Sequence, residues 1–389
     1  MKLSGYAVCF AAVCMLAFSA PVGVYAATSN TADDAGSSGD ELMVVMVGDI
    51  LLHDGIEQCA LQEDGSYDFS PIFKHTKDVI ESADIAIVNE EVIIGGRELR
   101  VTGYPSFNAP YEIADELADT GFDVICHATN HALDRGKQGI INCLTYWGEN
   151  HPDVNIVGIH DSEEDSDRIC VINRDGISIA VLNYTYGTNG IAHPKGMPYA
   201  VDVLNESKIR DDIKRAGELS DITIVCPHWG TEYNLGISDM QKKWAKLFAD
   251  CGADIIIGTH PHVIEPVGEI TADDGRKVPV FYSLGNFINW TSGSGRGIAN
   301  RMVGAMAMVK IAKDDKGNAV VSDFGAIPVV SHVRSEKNGS TVFFLEDYTQ
   351  ANSFLNEIRS RDRDFSYEYC VKLCNDVLKD SMIDKTAEK

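Results

Sequence analysis

The stretch LMVVMVGDILL, residues 42–52, decides how the rest of the chain is read. Leu42 to Val47 form an unbroken apolar run, without the alternation of a half-exposed strand. Such a run is expected of a strand buried on both faces of a helix-covered parallel sheet. It breaks at Gly48-Asp49, which puts a carboxylate where the strand should end. Outward along the chain the pattern repeats. Ile85–Val88 leads into Asn89-Glu90-Glu91, and Val124–Ala128 into Asn130-His131 and then Asp134. Ile222–Cys226 leads into His228-Trp229-Gly230 and Glu232, and Ile255–Ile257 into His260-Pro261-His262. Ile177–Leu182 and Val278–Tyr282 are further strand-like runs.

Between the runs lie segments with helical character: Pro71–Ser82, Tyr111–Asp119, Gly136–Trp147, Val203–Leu219 and Ser238–Cys251. Strands alternating with helices mean a layered α/β fold with a large parallel component. After Gly297 the pattern changes to long strands, Met302–Ile311 and Ala319–Val330, joined through a turn at Lys316-Gly317-Asn318. Another strand, Thr341–Leu345, and helices over Tyr348–Arg359 and Ser366–Leu378 follow. The main domain is drawn over 42–333, with a strand and helical extension over 334–389.

In α/β sheets, ligands bind at the carboxyl edge of the strands. Loops there can carry polar groups without burying them unpaired. One such residue means little, because Asp49 could cap a helix, Asn89 could serve a turn, and Asp134 reads as an N-cap. Five strand ends in succession, all drawing on Asp, Glu, Asn and His, point to a shared site. His260 and His262 form its strongest pair, since Pro261 stiffens the turn between them. Carboxylate, imidazole and amide ligands together favour zinc, manganese or iron. Calcium would take oxygen ligands alone. No cysteine accompanies these groups, so an open site fits better than a structural zinc. Trp229 reads as packing or stacking, and Glu232 as an acid–base group, a supporting contact or a surface residue. His53, His75, His127, His160 and His193 lack the pattern and read as structural.

Residues 1–26 carry one charge, Lys2, then an apolar run over Tyr6–Phe18 and the small-x-small pattern Val24-Tyr25-Ala26. They read as a signal for export, with an uncleaved anchor as the rival. Residues 27–41 are small, polar and acidic, the composition of a disordered linker. The formal net charge is −25. It argues against nucleic acid as a partner, since phosphate backbones select basic surfaces. Ten cysteines show no zinc spacing; Cys126 and Cys226 read as buried small apolar groups, with one or two disulfides left open by an oxidising compartment.

Several segments carry a family resemblance: VGDILL at 47–52, ADIAIVNEE at 83–91, YPSFNAP at 104–110 and GFDVICHATNHALDRG at 121–136. They continue with YTYGTNG at 184–190, HWGTEY at 228–233, GTHPHV at 258–263 and YSLGNF at 282–287. In order and spacing the chain resembles the CapA family, the poly-γ-glutamate capsule synthesis proteins of the calcineurin-like metallophosphoesterase superfamily. The resemblance implies a four-layer α/β/β/α sandwich. It implies Asp49, Glu91, Asn130, His228, His260 and His262 as ligands of one or two divalent ions. His131, Asp49 and Glu232 stand as its catalytic candidates, His131 near the scissile phosphate and its leaving group. The superfamily's opening Asp-x-His is absent, because Asp49 is followed by Ile50-Leu51, and Asn89-x-Glu91 replaces its Gly-Asp motif. The expected protein is an envelope-associated, metal-dependent hydrolase or transferase. Its partners would be an anionic envelope polymer or phosphoester substrate and membrane-bound capsule synthesis proteins. A non-catalytic assembly subunit and a secreted nucleotide phosphoesterase are the alternatives.

Overall fold

The computed structural model of the protein describes residues 41–291 and 293–386. The proposed signal, residues 1–26, and nearly all of the linker at 27–41 lie outside the described residues. Fourteen strands are described. The first seven are β1 (Glu41–Leu51), β2 (Ile85–Glu90), β3 (Val124–Cys126), β4 (Asn155–Val157), β5 (Cys170–Arg174), β6 (Ile177–Thr185) and β7 (Ile222–His228). The rest are β8 (Ile255–Ile257), β9 (Val267–Thr271), β10 (Lys277–Phe281), β11 (Asn286–Asn289), β12 (Val303–Lys313), β13 (Ala319–His332) and β14 (Thr341–Phe344).

They build two sheets. One runs β14-β13-β12-β1-β2-β3-β4, with β11 pairing β1 as well; the other runs β5-β6-β7-β8-β10-β9. β1 to β4 are parallel neighbours, and so are β6, β7, β8 and β10. Parallel pairs need crossovers, and helices supply them. Val44, Val45, Met46 and Val47 of β1 are each at most 1% exposed, so both faces of the strand are covered, as the unbroken run requires.

The inner core lies between the sheets, where Ile224, Ile257 and Phe281 of the second belong to one buried cluster with Val45, Val47 and Met306 of the first. Helices Glu112–Asp119 and Gly136–Asn150 bury Ile113, Leu117, Ile140 and Trp147 on the first sheet's side. Helices Glu206–Leu219 and Asp239–Cys251 bury Ile213, Ala216, Phe248 and Ala249 against Val225, Ile256 and Val280 of the second. The result is a four-layer α/β/β/α sandwich. The chain turns from β12 to β13 at the expected place. Gly317 takes φ 84° there, and Asp314 Oδ1 accepts from the backbone N–H groups of Lys316 and Asn318. β14 extends the first sheet beyond β13.

Two expected helices are broken. Tyr348–Arg359 divides at the extended Asn356 into the helix Gln350–Leu355 and the 3-10 turn Glu357–Ser360. Pro71–Ser82 forms two short helices, Ser70–Phe73 and Lys77–Glu81, because Thr76 is buried and its hydroxyl donates to Phe73 O at 3.2 Å. A side chain that bonds the local backbone in this way competes with helix propagation. Among the described residues no helix is long and apolar enough to cross a membrane. The eight described cysteines are unpaired thiols, seven of them buried.

Candidate metal centre

Asp49 reaches the site through a bulge. The pairing of β1 with β2 shifts register between Val47 and Asp49, and its pairing with β11 shifts between Asp49 and Ile50. Bulges of this kind re-aim a side chain beside a functional site. Gly48 permits it by close approach, since a Cβ there would lie 2.0 Å from Gly285 O. The Asp49 carboxylate is wholly buried but well partnered. It accepts from Asn89 Nδ2 at 2.9 Å and His260 N at 3.4 Å, and its Oδ2 lies 3.1 Å from His262 Nδ1. It does not cap the next helix, whose N-cap is His53.

The turn after β8 is strained. His260 takes φ 97° and His262 φ 59°, and Asn189 (51°) and Tyr233 (64°) near them also have positive φ. Such backbone is costly for non-glycine residues and persists where surrounding structure enforces it, often at functional sites. Here it turns both imidazoles inward. His228, the last residue of β7, has its Nδ1 3.1 Å from Thr259 Oγ1 and its Nε2 2.8 Å from Asn130 Oδ1. Without an ion, Nε2–H donates to Asn130 Oδ1; with the proton on Nδ1 and Thr259 accepting it, the Nε2 lone pair and Asn130 Oδ1 become two donor atoms that a cation could share.

Glu91 stands between two groups of ligand atoms. Its carboxylate with His228 and His260, and the same carboxylate with Asp49 and His262, each form a set of three atoms within 4.8 Å of one another. Both Glu91 oxygens and His260 Nδ1 are buried without a hydrogen-bond partner. A buried carboxylate without a hydrogen bond is expensive even with His262 Nε2 at 3.6 Å and His228 Nε2 at 3.8 Å from its Oε1, and a cation is the partner that removes the cost. Burial, reinforced by the nearby charges of Asp49 and Glu232 and opposed by His262, pushes the Glu91 carboxyl well above the usual range. Burial lowers the pKa of His228 and of His260 well below the usual value, so both stay neutral and able to ligate. Burial opposes protonation of His262 too, but Glu91 and Asp49 hold its pKa up to about 9. An ion between Glu91 and Asp49 would take the place of the His262 proton, and with that exchange the residues present fit a divalent ion.

His131 sits at the same mouth. Its Nδ1 lies 2.7 Å from Asp134 Oδ2, and its ring meets Phe107 edge-on with centroids 4.7 Å apart. Asp134 also accepts from Phe107 N at 2.7 Å. It is thus not the helix cap its position suggested; Arg135 occupies the N-cap of Gly136–Asn150. Glu232 is exposed, yet close enough for its charge to act on Glu91 and His262. His53, read from sequence as structural, belongs to neither three-atom group, although His262 and His131 both influence it. Trp229 packs: it is buried, stacks on Phe248 and donates to Tyr282 O at 2.9 Å.

Asn286 is a site residue that the strand-end pattern missed. Its Oδ1 is 3.1 Å from His262 Nδ1, and its Nδ2 donates to His262 O at 3.1 Å and Arg301 O at 3.0 Å. It opens β11 instead of ending a strand, so only the YSLGNF resemblance touched it.

The family model described as bacterial capsule synthesis protein PGA_cap matches residues 43–291. PGA biosynthesis protein CapA of Bacillus subtilis is 31% identical over 272 residues, covering 65% of this chain and 66% of that protein. Capsule biosynthesis protein CapA of Bacillus anthracis is 29% identical over 266 residues, covering 65% of this chain and 61% of that protein. The match thus spans slightly less than two thirds of either relative. Among solved structures, Haemophilus influenzae NAD nucleotidase is similar over 75% of this chain and 52% of its own, at 10% identity and a TM-score of 0.42. The family match takes in all five strand-end clusters, from Asp49 to His262, and on it the chain belongs to the PGA_cap family of bacterial capsule synthesis proteins.

Proposed function

We propose that the protein is a metal-dependent phosphoesterase-type hydrolase or transferase that acts at the cell envelope in the synthesis or attachment of a capsule polymer of the poly-γ-glutamate type. The observation that carries this reading is Glu91, a buried carboxylate with neither oxygen hydrogen-bonded, between two sets of ligand atoms. Glu91, His228 and His260, with Asn130 beside them, would hold one ion. Asp49, Glu91 and His262 would hold a second. When bound, the ions supply Lewis-acid polarisation of a phosphoryl or carbonyl oxygen and a water of lowered pKa. The chain's residues do the rest. Asp134 accepts from His131 Nδ1–H, fixes the ring and leaves Nε2 to exchange a proton with a leaving group. Asn89 and the His260 N–H hold Asp49 in place. Glu232 stands at the rim as an acid–base candidate.

The names of the CapA relatives support the capsule setting, and the apolar run over Tyr6–Phe18 supports export. Membrane-bound capsule synthesis proteins and an anionic polymer are the partners this setting implies. The test equilibrates the purified chain with zinc, manganese and iron, then measures retained metal and turnover of a model phosphodiester and of poly-γ-glutamate. Metal retention with turnover of either substrate is expected. No retained metal would end the reading. Metal with no turnover, together with polymer production that survives His260→Ala and His262→Ala, would favour an assembly subunit.

A further inference from the structure

Arg301 lies on the 3-10 turn Ile298–Met302, just before β12. Its guanidinium covers the ring of Tyr233 at 3.4 Å from the centroid, and its Nη1 donates to Thr291 Oγ1 at 3.0 Å. Its carbonyl accepts from Asn286 Nδ2 at 3.0 Å, so it is tied to the residue that touches His262. Tyr233 in turn has its ring centroid 5.9 Å from that of His262. The guanidinium is thus one aromatic ring away from a proposed metal ligand, in a fixed orientation. Its Nε is buried and has no hydrogen-bond partner. A stacked, anchored arginine with an unused donor is built to take an oxyanion in a planar fork.

Two further observations say where such an anion would come from. The protein carries a net charge of −25, and the exposed Glu232 stands at the rim of the site. An anionic substrate is repelled unless positive charge faces it. The rim is also aromatic. Tyr104, Tyr186 and Tyr233 are unusually exposed, and Tyr104 stands beside Phe107, Tyr186 beside His260 and Tyr233 beside His262. Exposed rings grouped at one opening mark a binding surface with an organic as well as an ionic part.

We infer that Arg301, stacked on Tyr233, is a specificity-determining residue that holds an oxyanion of the substrate next to the reacting group. The inference rests on the metal-pocket reading above and adds to it a substrate carrying a second anionic group, either a phosphoryl or a carboxylate.

The test compares the native chain with Arg301→Gln and Arg301→Lys. Each is loaded with zinc and its metal content measured. Inorganic phosphate and glutarate are then titrated into it calorimetrically. Arg301→Gln should bind at least one anion about tenfold more weakly at unchanged metal content, with partial recovery in Arg301→Lys. A larger loss for phosphate identifies a phosphoryl group; a larger loss for glutarate identifies a carboxylate. Equal affinities in native and Arg301→Gln protein overturn the inference, as does a native chain that binds neither anion. Failure of the native chain to hold zinc would instead overturn the metal pocket. The anion titrations then run on the metal-free proteins, where Arg301 keeps its charge and the same criterion decides. If Arg301→Gln does not fold, labelling of native Arg301 by phenylglyoxal, read by mass spectrometry, replaces it. Protection by either anion supports the assignment, and its absence overturns it.

Discussion

Glu91 joins the two halves of the site, and its chemistry makes opposite demands with and without a cation. Without one, a wholly buried carboxylate with neither oxygen hydrogen-bonded opposes folding. With one, the same group is a shared ligand. Glu91→Gln should therefore weaken zinc binding by about 100-fold or more. Measured in chelator, the variant should be at least as stable as the native chain, because it replaces a buried acid whose ionised form burial disfavours and nearly keeps the volume. Calorimetric zinc titration and thermal melting read the two effects separately, and unchanged zinc affinity would remove Glu91 from the centre. Asp134 acts at one remove. Its Oδ2 is 2.7 Å from His131 Nδ1 and 2.7 Å from Phe107 N. Asp134→Asn leaves the packing but presents an amide that can turn its NH2 toward Nδ1 and reverse the tautomer. Turnover of a model phosphodiester should fall by about 10²-fold or more, with metal content and KM nearly unchanged. A drop in metal content of equal size would mean that Asp134 merely supports the fold.

At the scale of elements, glycine spacing sets how closely β1 and β11 approach, and so where Asp49 points. A methyl group at Gly48 would meet Gly285 O at 2.0 Å, backbone that cannot swing aside. Gly48→Ala should cost about 2 kcal/mol or more by denaturant unfolding, in the range of overpacking, and should weaken zinc binding as Asp49 moves. Gly148, within helix Gly136–Asn150, has nothing within 4 Å of a built Cβ. Gly148→Ala should stabilise by about 0.5–1 kcal/mol. Equal effects at the two positions would refute the argument from spacing. The elements also explain what could be read in advance. Apolar runs that stop at Asp49, Glu91, Asn130, His228 and His260 stand out because burial on both faces leaves no other place for polar groups. β11 has no such signature, being four residues long and opening on its functional Asn286. The edge strands β5 and β9 are partly exposed and carry Arg174 and Glu269, so their periodicity is weak, and β4 has only three residues. Arg301 lies on a turn, and only folding brings it over Tyr233.

Across the whole molecule, the layers are also tied by ionisable groups remote from the site, and these set how stability depends on pH. His160, read from sequence as structural, is buried between two acids. Its Nδ1 lies 3.1 Å from Asp165 Oδ2 and its Nε2 2.9 Å from Asp202 Oδ2. Arg168 also pairs with Asp165 and Lys208 with Asp202, so the cluster alternates in sign. Burial disfavours the imidazolium, but the two carboxylates outweigh it and raise the pKa to about 9 from 6.5. Because the folded value is the higher, the stabilisation is complete below about pH 6.5 and is lost as pH rises through about 9. Its size is on the order of 3 kcal/mol. His262 is also held up to about 9, so the native slope alone does not isolate His160. His160→Gln does, because it leaves His262 untouched. Unfolding free energies measured in chelator at steps from pH 6 to pH 9.5 should converge between the two proteins as pH rises, the native chain being more stable at the acidic end. Parallel curves would show that His160 is neutral in the folded chain, and that Asp165 and Asp202 are held by Arg168 and Lys208 instead.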